Sequence, residues 1–214
     1  MEEVARTKLI TRVGPSLGSP MTDMLRRFHL ASAGLLGVFV LLHLGNHVAG
    51  LAGQELHRTV QAWLRLLYQG WMEPILLLSC AAQLTTGLRL AWTRRRAKGR
   101  ALLQPLSGLY LALFLSIHVF AVLAARADGI ETDLAFAAAG MYAGRWWLFF
   151  VPYYGLAVLA LGLHVSVPLS RRQPRAARML VLGSVVLAVM LVFMLAGVIM
   201  PLTIPSELIE AFIG

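Results

Sequence analysis

Two histidines, His43 and His118, each interrupt a long apolar stretch that holds almost nothing else ionisable. An imidazole in hydrocarbon is costly unless something binds it, so such residues are candidates for function. Two neutral imidazoles suit a transition metal, above all a haem iron with an axial position open on each face. His47 stands one turn beyond His43 on the same helical face; it is an alternative ligand, a propionate partner, or a residue reaching interfacial water. His29, beside Arg26 and Arg27, and His57, in a connecting loop, are expected to be solvated. The competing reading of His43 and His118 is that each bonds a neighbouring carbonyl or hydroxyl inside a bundle.

The elements that must position them follow from composition. The chain has 214 residues, 58% hydrophobic and 14% charged, with a mean hydropathy of +0.73. Such a balance excludes a soluble globular domain and a disordered chain, and points to the membrane. The net charge of +9 is grouped at segment ends. There it acts as a topology signal and a contact to anionic lipid, not as a nucleic-acid groove. Cys80, the single cysteine, lies in an apolar run as a small packing residue. Residues 1–25 are mixed polar and lack the apolar core of a signal peptide.

Five segments reach the roughly 20 residues that a helix needs to span a bilayer: 28–51, 74–92, 102–125, 146–169 and 179–200. The expected fold is all-α, an integral membrane bundle of five transmembrane helices over 26–202. A segment 1–25 precedes it and a short external tail, 203–214, follows. Residues 53–71 carry Leu56, Val60, Trp63, Leu64 and Leu67 at helical spacing, which predicts a short helix lying on the outer surface.

Arg26-Arg27, the arginine-rich stretch 94–100 and the stretch 171–178 all fall on one side. The positive-inside rule makes that side cytoplasmic, the N-terminus inside and the C-terminus outside. Topology then converts position into depth. His43 stands sixteen positions beyond Arg27 and His118 sixteen beyond Leu102, so both lie roughly 24 Å along their helices from the same side. Equal depth on different helices is what two axial ligands of one haem require. His164 lies near the cytoplasmic end of the fourth span, at the wrong depth to join them, and the second span holds no histidine.

These residues carry a family resemblance. Arg26-Arg27-Phe28-His29 leading to Leu42-His43-Leu44, Leu103-Gln104-Pro105-Leu106-Ser107-Gly108 leading to Ser116-Ile117-His118-Val119, and Gly162-Leu163-His164 resemble the five-helix membrane cytochrome b subunit of succinate:quinone oxidoreductases and quinol:fumarate reductases. The resemblance spans about residues 24–200. It implies an outer, distal haem b on His43 and His118, and an inner, proximal haem with one ligand at His164 and another from helix two. The helix-two pattern, His-x-x-x-Gly with Arg two positions later, reads Gln83-Leu84-Thr85-Thr86-Gly87-Leu88-Arg89 here. Glutamine stands in the ligand's place, and an amide is a poor iron ligand beside imidazole. The expectation is one bis-histidine haem, at the distal position, with the inner haem absent, held through His164 alone, or completed by some other residue. Gln83, His164 and Arg89 then either line a quinone pocket or, for Gln83 and His164, bond each other as packing partners.

The resemblance further implies electron transfer between quinone and a cytoplasmic pair of flavoprotein and iron–sulfur subunits docked at the basic loops. One cysteine cannot hold a cluster, and no glycine-rich nucleotide loop is present, so this chain is one subunit of an oxidoreductase. Glu73, near Trp71 and Tyr68, is the candidate carboxylate for a distal quinol site. Its alternative is an exposed interfacial glutamate. Arg126 and Arg145 are candidates for pairing haem propionates. The rival functions are another b-type membrane cytochrome, or a haem-free anchor or transporter. The expected location is a prokaryotic cytoplasmic membrane.

Overall fold

The computed structural model describes residues 20–213, and every regular element among them is helical. In chain order they are α1 (Pro20–Gly50), α2 (Gln54–Tyr68), α3 (Met72–Thr93), α4 (Leu103–Ala127), α5 (Leu134–Tyr142), α6 (Trp147–Leu169), α7 (Pro174–Leu195) and α8 (Ser206–Glu210). A 3-10 turn at Gly99–Leu102 leads into α4. Five of the helices, α1, α3, α4, α6 and α7, are long and apolar enough to cross a membrane. The chain is an all-α, multi-pass membrane protein.

The boundaries move where local chemistry outweighs hydropathy. The fifth span runs 174–195 instead of 179–200. Pro174 occupies the first helical turn, where its missing N–H is no loss. At the other end Gly197 adopts φ +71°, and the N–H of Val198 donates back to the carbonyl of Phe193 at 2.9 Å. That left-handed cap stops the helix before the apolar run is exhausted. α1 begins at Pro20, so residues 20–25 continue the first span as helix. The rest of the 1–25 segment, residues 1–19, lies outside the described residues.

The helix anticipated within 53–71 is α2; α5 and α8 were not anticipated. Asp133 starts α5 by accepting the backbone N–H groups of Ala135 and Phe136 at 2.9 and 3.1 Å. The described part of the tail, 203–213, folds back onto the bundle. Gln54 bonds both the carbonyl and the N–H of Thr203, and the indole of Trp146 donates to the carbonyl of Phe212 at 2.7 Å.

Packing runs α1 on α3, α3 on α4, α4 on α6 and α6 on α7. The last pair is closest, through buried Ala157, Ala160 and Ser166 facing Ala177, Ser184 and Ala188. Gly162 permits it, because a Cβ there would collide with Ser184; small residues are how membrane helices approach. Large apolar side chains such as Leu41 and Phe120 point outward, where lipid would meet them. A cluster of Leu134, Ala138, Leu191, Met194 and Leu195, with Leu44 and Leu51 against it, ties α7 and α5 to α1.

Neither α4 nor α6 packs its backbone closely on α1. α3 stands between α1 and α4 in this packing order. The loops holding Arg94–Arg96 and Arg171–Arg172 lie at one end of the bundle, the basic end. Helices α2, α5 and α8 cover the opposite, capped end.

Candidate cofactor site

Toward the capped end, the rings of His43 on α1 and His118 on α4 come together. Their ring centroids are 5.9 Å apart and the planes cross at 66°. Each is backed by a phenylalanine one turn earlier on its own helix. Phe39 stacks on His43 at 5.7 Å and 15°, and Phe114 on His118 at 5.3 Å and 12°. The equal depth inferred from topology thus corresponds to two rings in one place. Among the described residues, no hydrogen bond reaches a ring nitrogen of His43, His47 or His118. The competing reading, in which neighbouring carbonyls or hydroxyls satisfy them, is not what the side chains do.

The donor chemistry suits a haem iron: His43 and His118 would be the residues to hold it, each offering an imidazole nitrogen that no described residue hydrogen-bonds.

A histidine ladder continues from this pair. His47 lies 4.7 Å from His43 and 5.5 Å from His57. His57 is not solvated, as its loop position implied: it is 2% exposed, pressed beneath α2 against α1. The side-chain amide of Asn46, also buried, donates to its Nε2 at 3.1 Å. Among the described residues, the Nδ1 of His57 and the Oδ1 of Asn46 have no hydrogen-bond partner. Burial holds the His57 pKa down to about 4, with Arg58 pushing the same way and Asp133 opposing.

At the same end, Glu73 at the start of α3 forms an ion pair with Arg126 at the end of α4. Both side chains are about one-third exposed, 34% and 30%. Arg126 is thus engaged by a carboxylate. Tyr68 stands nearby, edge-on to Phe39 at 5.2 Å, and burial raises its pKa. A carboxylate, a phenol and a guanidinium therefore cluster within a few residues of the Phe39–His43 stack.

Toward the basic end, the expected group of Gln83, His164 and Arg89 comes apart. The amide of Gln83 turns to α1, donating to the His29 carbonyl at 2.6 Å and the Ser32 hydroxyl at 2.8 Å. Gln83 and His164 do not bond each other. Arg89 is exposed and lines an open groove of about 370 Å³ between α1 and α3, beside Thr86 and Phe28. The ring that faces His164 belongs to His29, at 6.4 Å between centroids. His29 is half-buried, not solvated. Its position beside two arginines concealed the fact that it stands fourteen residues before His43. Fourteen residues is nearly four turns, so one face of α1 carries both. That spacing was the available signal.

No protein-family model, curated protein or solved structure matches this chain.

Proposed function

We propose that this chain is the haem b-binding membrane subunit of a succinate:quinone oxidoreductase or quinol:fumarate reductase. It carries electrons between membrane quinone and a flavoprotein and iron–sulfur pair. The observation that carries the reading is the His43–His118 pair: two imidazoles on different helices, without hydrogen bonds among the described residues, whose ring centroids lie 5.9 Å apart. Haem b bound there supplies a one-electron step at the capped side of the membrane.

The chain's own residues do the rest. His43 and His118 would offer nitrogen lone pairs to the haem, and Phe39 and Phe114 stack on those two rings. Glu73 is the base of the quinol site, its carboxylate oriented by Arg126 and flanked by Tyr68; quinol oxidation releases protons that such a group accepts. The basic end faces the cytoplasm by the positive-inside rule, and loops 94–100 and 171–178 receive the soluble subunits. The membrane is the cytoplasmic one.

The test is purification of the tagged chain, in mild detergent, from the membranes of its own host. Flavin, iron–sulfur absorbance and succinate- or fumarate-linked quinone turnover should co-purify with a b-type spectrum. A b-type spectrum with neither flavin nor cluster would overturn the assignment in favour of another quinol cytochrome.

A further inference from the structure

The groove between α1 and α3 at the basic end takes no part in the proposed electron transfer, yet its chemistry is specific. It has two adjoining compartments, of about 370 and 410 Å³, and Arg89 on α3 and Leu25 on α1 line both. Arg89 is exposed there and makes no hydrogen bond or ion pair among the described residues. Both walls beside it are apolar: Phe28 on α1 and Trp92 on α3 are 62% and 69% exposed.

The α3 wall offers an occupant one strong donor. The hydroxyls of Thr85, Thr86 and Thr93 all donate to carbonyls of their own helix, so the guanidinium alone is free to bind. Its surroundings are cationic. Asp23, the one carboxylate among the described residues of the basic end, is taken by Arg26 at 3.6 Å. In the loop after α3, burial lowers the pKa of Arg94, and Arg26 and Arg171 lower it further. Cations are thus crowded at this end without matching carboxylates. A neutral ligand such as a quinone would leave the Arg89 charge uncompensated, whereas a phosphodiester accepts a guanidinium through two oxygens and neutralises it.

Depth agrees with that chemistry. Trp92, with the guanidinium of Arg95 over its ring at 4.7 Å, marks the membrane interface, where tryptophan collects. Arg89 stands four residues before the end of α3 at Thr93, roughly 6 Å deeper along the axis, and a long side chain covers that distance by snorkelling. By the positive-inside rule this is the cytoplasmic leaflet, the one that carries anionic lipid.

We propose that the α1–α3 groove binds an acidic phospholipid of the basic-end leaflet, its phosphate on Arg89. The head group occupies the outer compartment beside Trp92 and Thr93, and an acyl chain runs through the inner one past Leu25 and Phe28. The lipid bridges the two helices that Gln83 joins one and a half turns deeper. No haem is required for this site, and it stands apart from the function proposed above.

The test is native mass spectrometry of the delipidated full chain in detergent, titrated with phosphatidylglycerol and, separately, with phosphatidylcholine. The first phosphatidylglycerol should bind more tightly than phosphatidylcholine. Arg89→Gln should weaken it about fivefold, the worth of one arginine at an anionic surface, and Arg89→Lys should keep most of the affinity. Arg100→Gln makes the same charge change at an exposed position outside the groove and should leave that affinity unchanged. Leu25→Trp, which fills the groove and keeps the charge, should weaken binding as well. Equal affinity for the two lipids, or equal losses in Arg89→Gln and Arg100→Gln, would reduce the effect to diffuse surface attraction and overturn the proposal. Displacement of the bound lipid by a short-chain quinone would overturn it in favour of a quinone site. Haem content does not enter this readout, so a chain without haem would contradict the proposed function and leave this site standing.

Discussion

The side-chain amide of Gln83 on α3 reaches across to α1 and donates to the backbone carbonyl of His29 at 2.6 Å. A second bond from the same nitrogen goes to Ser32 at 2.8 Å. Helical carbonyls are normally committed to their own helix, so this bond fastens two transmembrane helices at a defined register. Replacing Gln83 with Leu should loosen the α1–α3 contact at the basic end. Interhelical hydrogen bonds in membranes are worth about 0.6 kcal/mol on average, so the expected loss is about 1 kcal/mol for the pair. Thermal denaturation in detergent would show a small drop, and amide exchange should rise around residues 28–33 but not around residue 43.

The capped end is held by Asp133. Its carboxylate caps α5 and accepts from Arg58 on α2 at 3.2 Å, so one side chain joins two surface helices. Asp133→Ala should cost about 1–2 kcal/mol through the lost cap. Asp133→Asn should retain most of the cap, since Asn is as good a cap as Asp, and lose only the charge pairing with Arg58. The order of midpoints, wild type above Asn above Ala, is checked by thermal melts.

His57 makes that end sensitive to acid. Its folded pKa lies near 4, below the 6.5 of an unfolded histidine. Between pH 6.5 and 4 the unfolded chain takes a proton that the folded chain refuses, so stability falls as pH falls through this window. Above pH 6.5 both forms are neutral and the contribution is flat. His57→Gln keeps a partner for Asn46 but does not titrate. Its melting temperature should show a weaker pH dependence between 6.5 and 4 than the wild type.

Glu73 gives a prediction on turnover. Glu73→Gln keeps the shape and removes the base, so quinol oxidation should fall about 100-fold, in the range general bases contribute. Reduction of the haem by a chemical reductant should be unchanged, which separates loss of proton acceptance from loss of cofactor. Arg126→Ala leaves the carboxylate without its ion pair, and is expected to impair turnover less than Glu73→Gln.

Much of the fold was legible because hydropathy and length decide it. The five spans and the surface helix α2 follow from hydropathy and helical spacing, and the shared level of His43 and His118 follows from counting residues along two spans that run in the same direction. What hydropathy cannot give is rotation and local hydrogen bonding. His29 was assigned to solvent because Arg26 and Arg27 precede it, yet the two-heptad spacing to His43 turns it inward. His57 was read as a loop residue because α2 is amphipathic and its buried face is narrow; only packing reveals that His57 lies on that face. Gln83 stood in the right place for a ligand, but the direction of its amide depends on where the carbonyl of His29 happens to fall. The end of α7 escaped because a glycine cap overrides an apolar run.

The central claim, that His43 and His118 bind one haem iron, is tested most directly by the reduced-minus-oxidised absorption spectrum of the purified chain beside its His43→Gln and His118→Gln variants. A b-type α-band in the wild type, reduced by one haem equivalent and to the same extent in each variant, is the expected result. Wild-type protein without such a band, or variants that keep it at full strength, would contradict the account.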